Sequence, residues 1–274
     1  MPLVSHPNVT EPAASVLLWR YTDLAKFTAL LLGQKLWLSS AEQLAVQDPY
    51  EATLPEPSAK AFSDFARADL QNAGHADMPD FQEQLAKLYE TVRPYLFVNC
   101  WHMSAVESVA MWKIYASEHA GIAIVSSSER MARAFRKSKL EVHLGQVSYV
   151  DHEAQFMGPN LFDVALKKRL SYAYESEAIL IHMFGSGGKI GPLPTPPPGV
   201  EVACNLNHLI ERVVISPAAD VWFLEMVKAL CRKMGVRRPV VQSRLLVPPA
   251  RTRGVVLRGP ASHNPSDASS NLPS

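Results

Sequence analysis

The chain has 274 residues, enough for one large domain or two small ones at the usual size of about 100–200 residues each. Hydrophobic residues make up 47% and charged residues 19%, which excludes a chain too polar to bury a core. Its 27 basic and 26 acidic side chains leave a formal net charge of +1, so no overall field gathers nucleic acid or anionic lipid, and any partner has to be argued from a local site.

Residues 1–14 hold Pro2, Pro7 and Pro12 but neither a basic start nor an apolar stretch; they read as a flexible N-terminus rather than a signal peptide. The sequence from Val16 to Tyr21 is short, branched and aromatic, the pattern of a buried strand. Thr22 offers an N-cap for a helix carrying Leu24, Phe27, Leu30 and Leu31, with Gly33 as its stop. Lys35–Ser39 is a second strand. A helical pattern runs from Pro57 to Arg93 with an interruption at residues 72–74, followed by a strand at Tyr95–Met103. Glu107–His119 reads as a helix with Val109, Trp112 and Tyr115 on one side. Ile122–Val125 is a strand, Ser126–Ser128 can cap the next helix, and Gln146–Val150 is again extended.

Leu161–Tyr172 has helical spacing, and Glu177–Met183 is extended. Residues 185–199 are too rich in glycine and proline for a regular ladder, so they form a long loop leading to a strand at Val200–Cys204. Val213–Ser216 is a strand, Ala219–Met234 an amphipathic helix, and Val240–Gln242 a last short strand. Beyond Leu246 the apolar periodicity fails, and residues 248–274 have the composition of a disordered tail. Strands separated by helices of unequal length predict an α+β fold: one domain over residues 15–247, with a mixed or split β-sheet packed by helices. Apolar runs such as Tyr95–Val98 and Ala178–Ile181 fall far below the roughly 20 residues that span a bilayer, and Cys100, Cys204 and Cys231 form no CxxC pair. A cytoplasmic protein with reduced thiols and no membrane partner is the expectation.

Motifs for phosphate and metal fail on spacing. A P-loop needs GxxxxGK[ST], yet Met183 stands where the first glycine belongs and Ile190 where the hydroxyl belongs. Asp151, His152 and Glu153 have ligand chemistry, but alternate residues of an extended chain point to opposite faces, and no HExxH accompanies them. His102, at a strand end beside Trp101, with Trp112 and Tyr115 on the following helix, could line a pocket; aromatic residues at helical spacing more often fill a core. The sharpest feature is Tyr172-Ala173-Tyr174-Glu175-Ser176-Glu177. Glutamate is depleted in strands, so two of them directly before Ala178–Ile181 either start an exposed acidic strand, balanced by Lys167, Lys168 and Arg169, or serve a cleft. Two carboxylates at i and i+2 of an extended segment would face opposite ways.

In chain order, Leu18-Trp19-Arg20-Tyr21-Thr22, Gly33–Ser39, Asp48-Pro49-Tyr50-Glu51, Cys100-Trp101-His102-Met103, Glu107-Ser108 with Met111-Trp112 and Tyr115, Gly121–Ile124, the segment from Lys168-Arg169 to Glu177, and Val214–Pro217 resemble a widespread, mostly bacterial family of uncharacterised proteins. The match runs from about Leu18 to Leu245. Ile179 stands where that family usually shows arginine. More remotely, Arg20 on the first strand, Ser126–Ser128 at a strand end and Glu175-Ser176-Glu177 at a loop–strand junction resemble the ADP-ribosyltransferase superfamily.

That resemblance implies an ADP-ribosyltransferase-like fold and an NAD-dependent glycosyl transfer, as in a toxin or defence effector that modifies protein or nucleic acid. It implies Glu177 and Glu175 as catalytic residues, and Arg20, Tyr21, Ser126, His102 and Trp112 around the nucleotide. Arginine would hold phosphate by two parallel hydrogen bonds, one glutamate would support the developing oxocarbenium charge, and the other would take the acceptor's proton. Two competing readings remain open in the sequence: a metal- or histidine-dependent nuclease or nucleotide-binding enzyme using His102, His152 and acidic neighbours, and a non-catalytic module presenting Trp101 and Trp112 to a partner.

Overall fold

A computed structural model describes residues 3–72, 81–154, 160–184 and 195–248. Most of the expected loop over residues 185–199 and all but the first residue of the expected tail lie outside these described residues. The chain opens with β1 (Leu17–Thr22), α1 (Leu24–Gly33) and β2 (Lys35–Ser40), then α2 (Ala41–Leu44), α3 (Glu56–Asn72) and α4 (Phe81–Val92). It continues through β3 (Leu96–Met103), α5 (Val109–Tyr115), β4 (Ile122–Ser127), α6 (Ser128–Ala134), β5 (His143–Gln146) and β6 (Ser148–Val150). The last third holds α7 (Leu161–Ala165), β7 (Lys167–Arg169), a 3₁₀ turn (Leu170–Glu175), β8 (Glu177–Met183), β9 (Gly199–Ala203), α8 (Leu206–Leu209), β10 (Arg212–Ile215), α9 (Val221–Lys233) and β11 (Val240–Gln242).

Several boundaries correct the sequence reading. The cap of α1 is Asp23, whose carboxylate accepts from the Lys26 amide, not Thr22. Gln34 rather than Gly33 takes the left-handed conformation that ends this helix; a polar residue tolerates it where its amide still reaches the Leu30 carbonyl. α5 stops at Tyr115 because Ala116 is extended. Gly121 then passes so close to the backbone of Ser117 that a Cβ would sit 2.4 Å from its carbonyl oxygen. The expected helix over Leu161–Tyr172 breaks after Ala165. Lys167, Lys168 and Arg169 are drawn to three different carboxylates, those of Asp163, Glu177 and Asp48, and an extended segment satisfies them where one helical face would not.

Among the described residues the main sheet has nine strands, with β11-β10-β4-β1-β3-β2-β9 in order and β8 joining β3 to β5. It is mixed: β10 and β11 are parallel, and the other pairs are antiparallel. β8 pairs with β3 all the way from Leu96 to His102. On the other edge of β3 the partners change, since β2 pairs at Phe97 and Val98 while β1 pairs at His102 and Met103. Between them the edge carries no strand. Polar side chains bridge this split. Asn99 Nδ2 donates to the Trp37 carbonyl at 2.7 Å, and Arg20 Nη1 donates to the Cys100 carbonyl at 2.8 Å.

One face of the sheet carries the main core, where Leu18, Phe97, Trp101, Ile124 and Leu180 pack against Phe27 and Leu31 of α1, Met131 of α6 and Phe223 of α9. Alternation places the intervening residues on the opposite face. There the apolar residues fall into two separate groups, one around Val98, Ile179, Phe162 and Leu166, the other around Trp19, Tyr21, Trp112 and Val125. The polar seam between the two groups is where the candidate site lies. Together these elements make an α+β domain with a mixed sheet packed by helices. Among the described residues, no helix is long and apolar enough to cross a membrane.

Candidate functional site

Glu177 opens β8 opposite His102 of β3. Its amide donates to the Tyr149 hydroxyl at 2.8 Å, and its carbonyl accepts from Val147 at 2.8 Å. Two residues earlier, Glu175 ends the 3₁₀ turn. Ser176 between them adopts φ 41° in the left-handed region, a conformation costing a non-glycine residue about 1–2 kcal/mol. Its carbonyl accepts from the Met103 amide at 2.7 Å. The left-handed step undoes the alternation expected of an extended pair, so both carboxylates turn to the same point instead of opposite ways.

That point is Lys168 of β7. Its Nζ lies 2.6 Å from Glu177, 3.5 Å from Glu175 and 3.9 Å from Glu51. Glu175 is 2% exposed and Glu177 and Glu51 are 6% exposed, which rules out the exposed acidic strand start. Lys167 and Arg169 take no part in this balance, being paired to Asp163 and Asp48. Buried charges need such partners, because an isolated ion in a protein interior is costly by several kcal/mol.

Burial, then the charge of Glu177, raises the Glu175 carboxyl above the ordinary carboxylate range, with Lys168 opposing. Burial also raises Glu51, against the pull of Lys168. Burial alone would lower the Lys168 ammonium, but the neighbouring glutamates, Glu177 foremost, outweigh it and hold the amine protonated. Cys100, on the same patch of β3, is raised well above the usual thiol value by burial and by Glu177, so it stays a thiol rather than a thiolate nucleophile.

Around the carboxylates stand the other expected residues, unequally placed. His102 Nδ1 is bonded to the Glu175 carbonyl, which fixes the proton on Nδ1 because a carbonyl only accepts. The Tyr115 hydroxyl donates to Glu175 Oε1; this tyrosine is 44% exposed and covers the rim. Arg20 is half-buried in the sheet split, where burial lowers the guanidinium from its ordinary value and Glu177 opposes the shift. Tyr21 stacks edge-on against Trp112 with centroids 5.0 Å apart and lies 6.4 Å from His102. Its hydroxyl accepts from the Ser108 amide, and burial lifts it to about 12. Trp112 is buried, its indole N–H donating to Glu107 at 3.2 Å.

Ser126 is not brought to the site. It is buried in β4 beside Leu18, and its hydroxyl donates to the Leu209 carbonyl at 2.6 Å. Ser127 caps α6 through the Arg130 amide. Trp101 fills the main core, and its N–H is bonded to Asn99. With both glutamates buried and both tryptophans buried, the arrangement does not present Trp101 and Trp112 to a partner. Nor do the nuclease candidates converge. His102 is held by Glu175, whereas His152 packs edge-on against Tyr50 at 5.6 Å. Among the described residues, no three histidine, cysteine or acidic side chains are grouped to hold a metal ion.

Of the three cations expected to balance the glutamates, only Lys168 does so, and Glu51, which the sequence places in a motif without a chemical role, joins it. Glu51 follows Asp48-Pro49-Tyr50, where Ala52 at φ 52° and a chain of turns bend the backbone inward. A buried glutamate in a loop carries no periodic signal. A cleft of about 530 Å³ opens beyond this loop, lined by Tyr50, Thr53, Leu54, Lys60 and His152 among others. A larger one of about 750 Å³ lies among the ends of α1, α6 and β9, remote in the fold from the carboxylates and lined by none of them.

No protein-family model matches the chain, and no curated protein matches it significantly. The resemblance to the uncharacterised bacterial family therefore rests on the sequence motifs. Among solved structures, the chain is similar to DarT of Thermus sp. 2.9 in complex with NAD+, with a TM-score of 0.39, 13% identity, and coverage of 86% of this chain and 98% of that one. The same protein in complex with ADP-ribosylated single-stranded DNA gives 0.40, 12%, 86% and 96%. Its complex with carba-NAD+ gives 0.38, 13%, 85% and 97%.

Proposed function

We propose that the protein is an NAD-dependent ADP-ribosyltransferase whose acceptor is a macromolecule, with Glu177 and Glu175 as its catalytic carboxylates. The observation that carries this reading is the buried pair turned onto one point at a loop–strand junction, beside Arg20 and His102. Three carboxylates face two cations there, Lys168 and Arg20. The carboxylate of Glu177, held at 2.6 Å from Lys168, is suited to a reaction that develops positive charge.

In such a transfer the bond between the ribose anomeric carbon and the nicotinamide nitrogen breaks, and its electron pair leaves with nicotinamide. The ribose passes through an oxocarbenium-like state, which fixed carboxylate charge in a water-poor site stabilises. Glu177, held by Lys168 and by its backbone bond to Tyr149, supplies that charge. The acceptor's nucleophile then bonds to the anomeric carbon, and its proton passes to Glu175, which burial raises above the ordinary carboxylate range and so makes a better proton acceptor. Arg20 and the free Nε2 edge of His102 contact the nucleotide, and Tyr21 with Trp112 forms the wall behind them.

Incubating the purified protein with NAD, with and without single-stranded DNA or a protein mixture, and measuring nicotinamide release tests the proposal. Release above the protein-free rate is expected. No release under any condition, from a folded sample, would overturn it.

A further inference from the structure

The loop that sends Glu51 to Lys168 also builds the wall of the neighbouring cleft of about 530 Å³, which lies in the ordinary size range of small-molecule sites. Tyr50, 43% exposed, stands at this wall with the guanidinium of Arg169 4.3 Å from its ring centre. Pro55 and Pro57 add rigid, flat apolar surface. The polar element is His152. It lines the cleft and is only 7% exposed, yet neither ring nitrogen has a hydrogen-bond partner among the described residues. A buried imidazole normally finds partners for both its donor and its acceptor, so an orphaned one at a cleft points to a ligand that supplies them.

The charge of the lining decides what kind of ligand. Glu56, Glu153 and Lys60 face the cleft, leaving it without the positive excess that a phosphate or carboxylate requires. A neutral, flat ring with donors and acceptors on its edge fits all three features. We infer that this cleft is a nucleobase-binding site, with His152 reading the edge of the ring and Tyr50 packing against it. Its link to the carboxylate cluster is the 48–53 loop, and through that loop it holds the base of a nucleic-acid acceptor. Only this last role rests on the transferase reading.

The test is binding in the absence of NAD. The histidine ring resonances of full-length, isotope-labelled protein are followed while four nucleosides, a short single-stranded DNA and an abasic DNA of the same length are titrated in. His152 is assigned from its loss in His152→Phe. Nucleosides and the DNA strand are expected to shift His152, and the abasic strand is not. Binding of nucleosides but not of the strand would identify a free nucleoside or nucleotide as the source of the base. Tyr50→Ala should weaken base binding about ten- to hundredfold, the range for losing an aromatic contact to a base. His152→Phe keeps ring and volume but removes both nitrogens, so base binding should fall while the fold persists.

Equal shifts with the abasic strand, no shift with any nucleoside or strand, or wild-type base binding by His152→Phe would each overturn the site. Glu177→Gln should bind bases as the wild type does. Base binding with no nicotinamide release would therefore leave this site standing and remove only the transferase reading.

Discussion

Lys168 Nζ lies 2.6 Å from Glu177 Oε2 and 3.5 Å from Glu175 Oε2, and the left-handed Ser176 makes both contacts possible. The amine is thus the hub of the site, with Glu51 as its third neighbour. Lys168→Met preserves the length of the side chain but leaves three buried carboxylates facing one another. Removing one partner of a buried ion pair costs about 3–5 kcal/mol, and urea unfolding should show a loss of that size. Adding Glu177→Gln to Lys168→Met should recover part of it. A single Lys168→Met variant as stable as the wild type would mean that the cluster is not held by this amine.

The same cluster fixes a pH dependence. Burial raises both Glu51 and Glu175 above the ordinary value of 4.5, so the folded protein binds protons that the unfolded chain releases. Their contribution to stability is fully present below 4.5 and is lost as pH rises through the higher folded values. On acidification from neutral pH toward 4.5 the wild type should therefore gain stability relative to Glu51→Gln. Urea midpoints of the two proteins across that range check this; a difference between them that does not change with pH contradicts the burial argument.

The strands and long helices were legible because their periodicity is a local property. β1, β2, β3, β4 and β8 lie within a residue or two of where branched and aromatic runs place them. What the sequence could not show is a matter of long-range contacts. Residues 161–172 have helical spacing, yet Lys168 and Arg169 answer to carboxylates on β8 and in the 48–53 loop, and that tertiary demand overrides the local pattern. The resemblance puts Ser126 beside the nucleotide; its neighbour across the strands is Leu18 of the core, which only the register reveals. Glu175 and Glu177 were found through their odd chemistry in a strand start. Their convergence needed the conformation of Ser176, a serine whose identity gives no hint of a positive φ.

Arg20 has two roles that a single substitution can separate. Its guanidinium closes the split in the sheet by donating to the Cys100 carbonyl at 2.8 Å. Lysine keeps the charge but loses the planar fork. Arg20→Lys should lower stability by about 1.5–3 kcal/mol, the range for a hydrogen bond made by a charged group, and should weaken NAD binding at least tenfold while the fold persists. Thermal melts and NAD titrations on the same samples decide the matter. A stability loss with unchanged NAD affinity would restrict Arg20 to closing the sheet.

Glu177→Gln is the sharpest test of the chemistry. Glutamine fills the same volume and can still accept from Lys168 through its carbonyl oxygen, and its backbone bond to Tyr149 is untouched. Only the negative charge goes. If that charge supports the oxocarbenium-like state, turnover should fall by roughly two to four orders of magnitude, as when one electrostatic stabiliser is removed. NAD affinity should change far less, because contacts made before the bond breaks are mostly kept. Glu175→Gln should behave differently, reducing transfer to an acceptor more than hydrolysis by water, since its part is to take the acceptor's proton. A purely structural Glu177 predicts the reverse: altered melting from a weakened pair with Lys168 and no selective loss of kcat. Nicotinamide release measured at saturating NAD, alongside a melting curve for each variant, separates the two, and full activity in a folded Glu177→Gln protein would remove this residue from the mechanism.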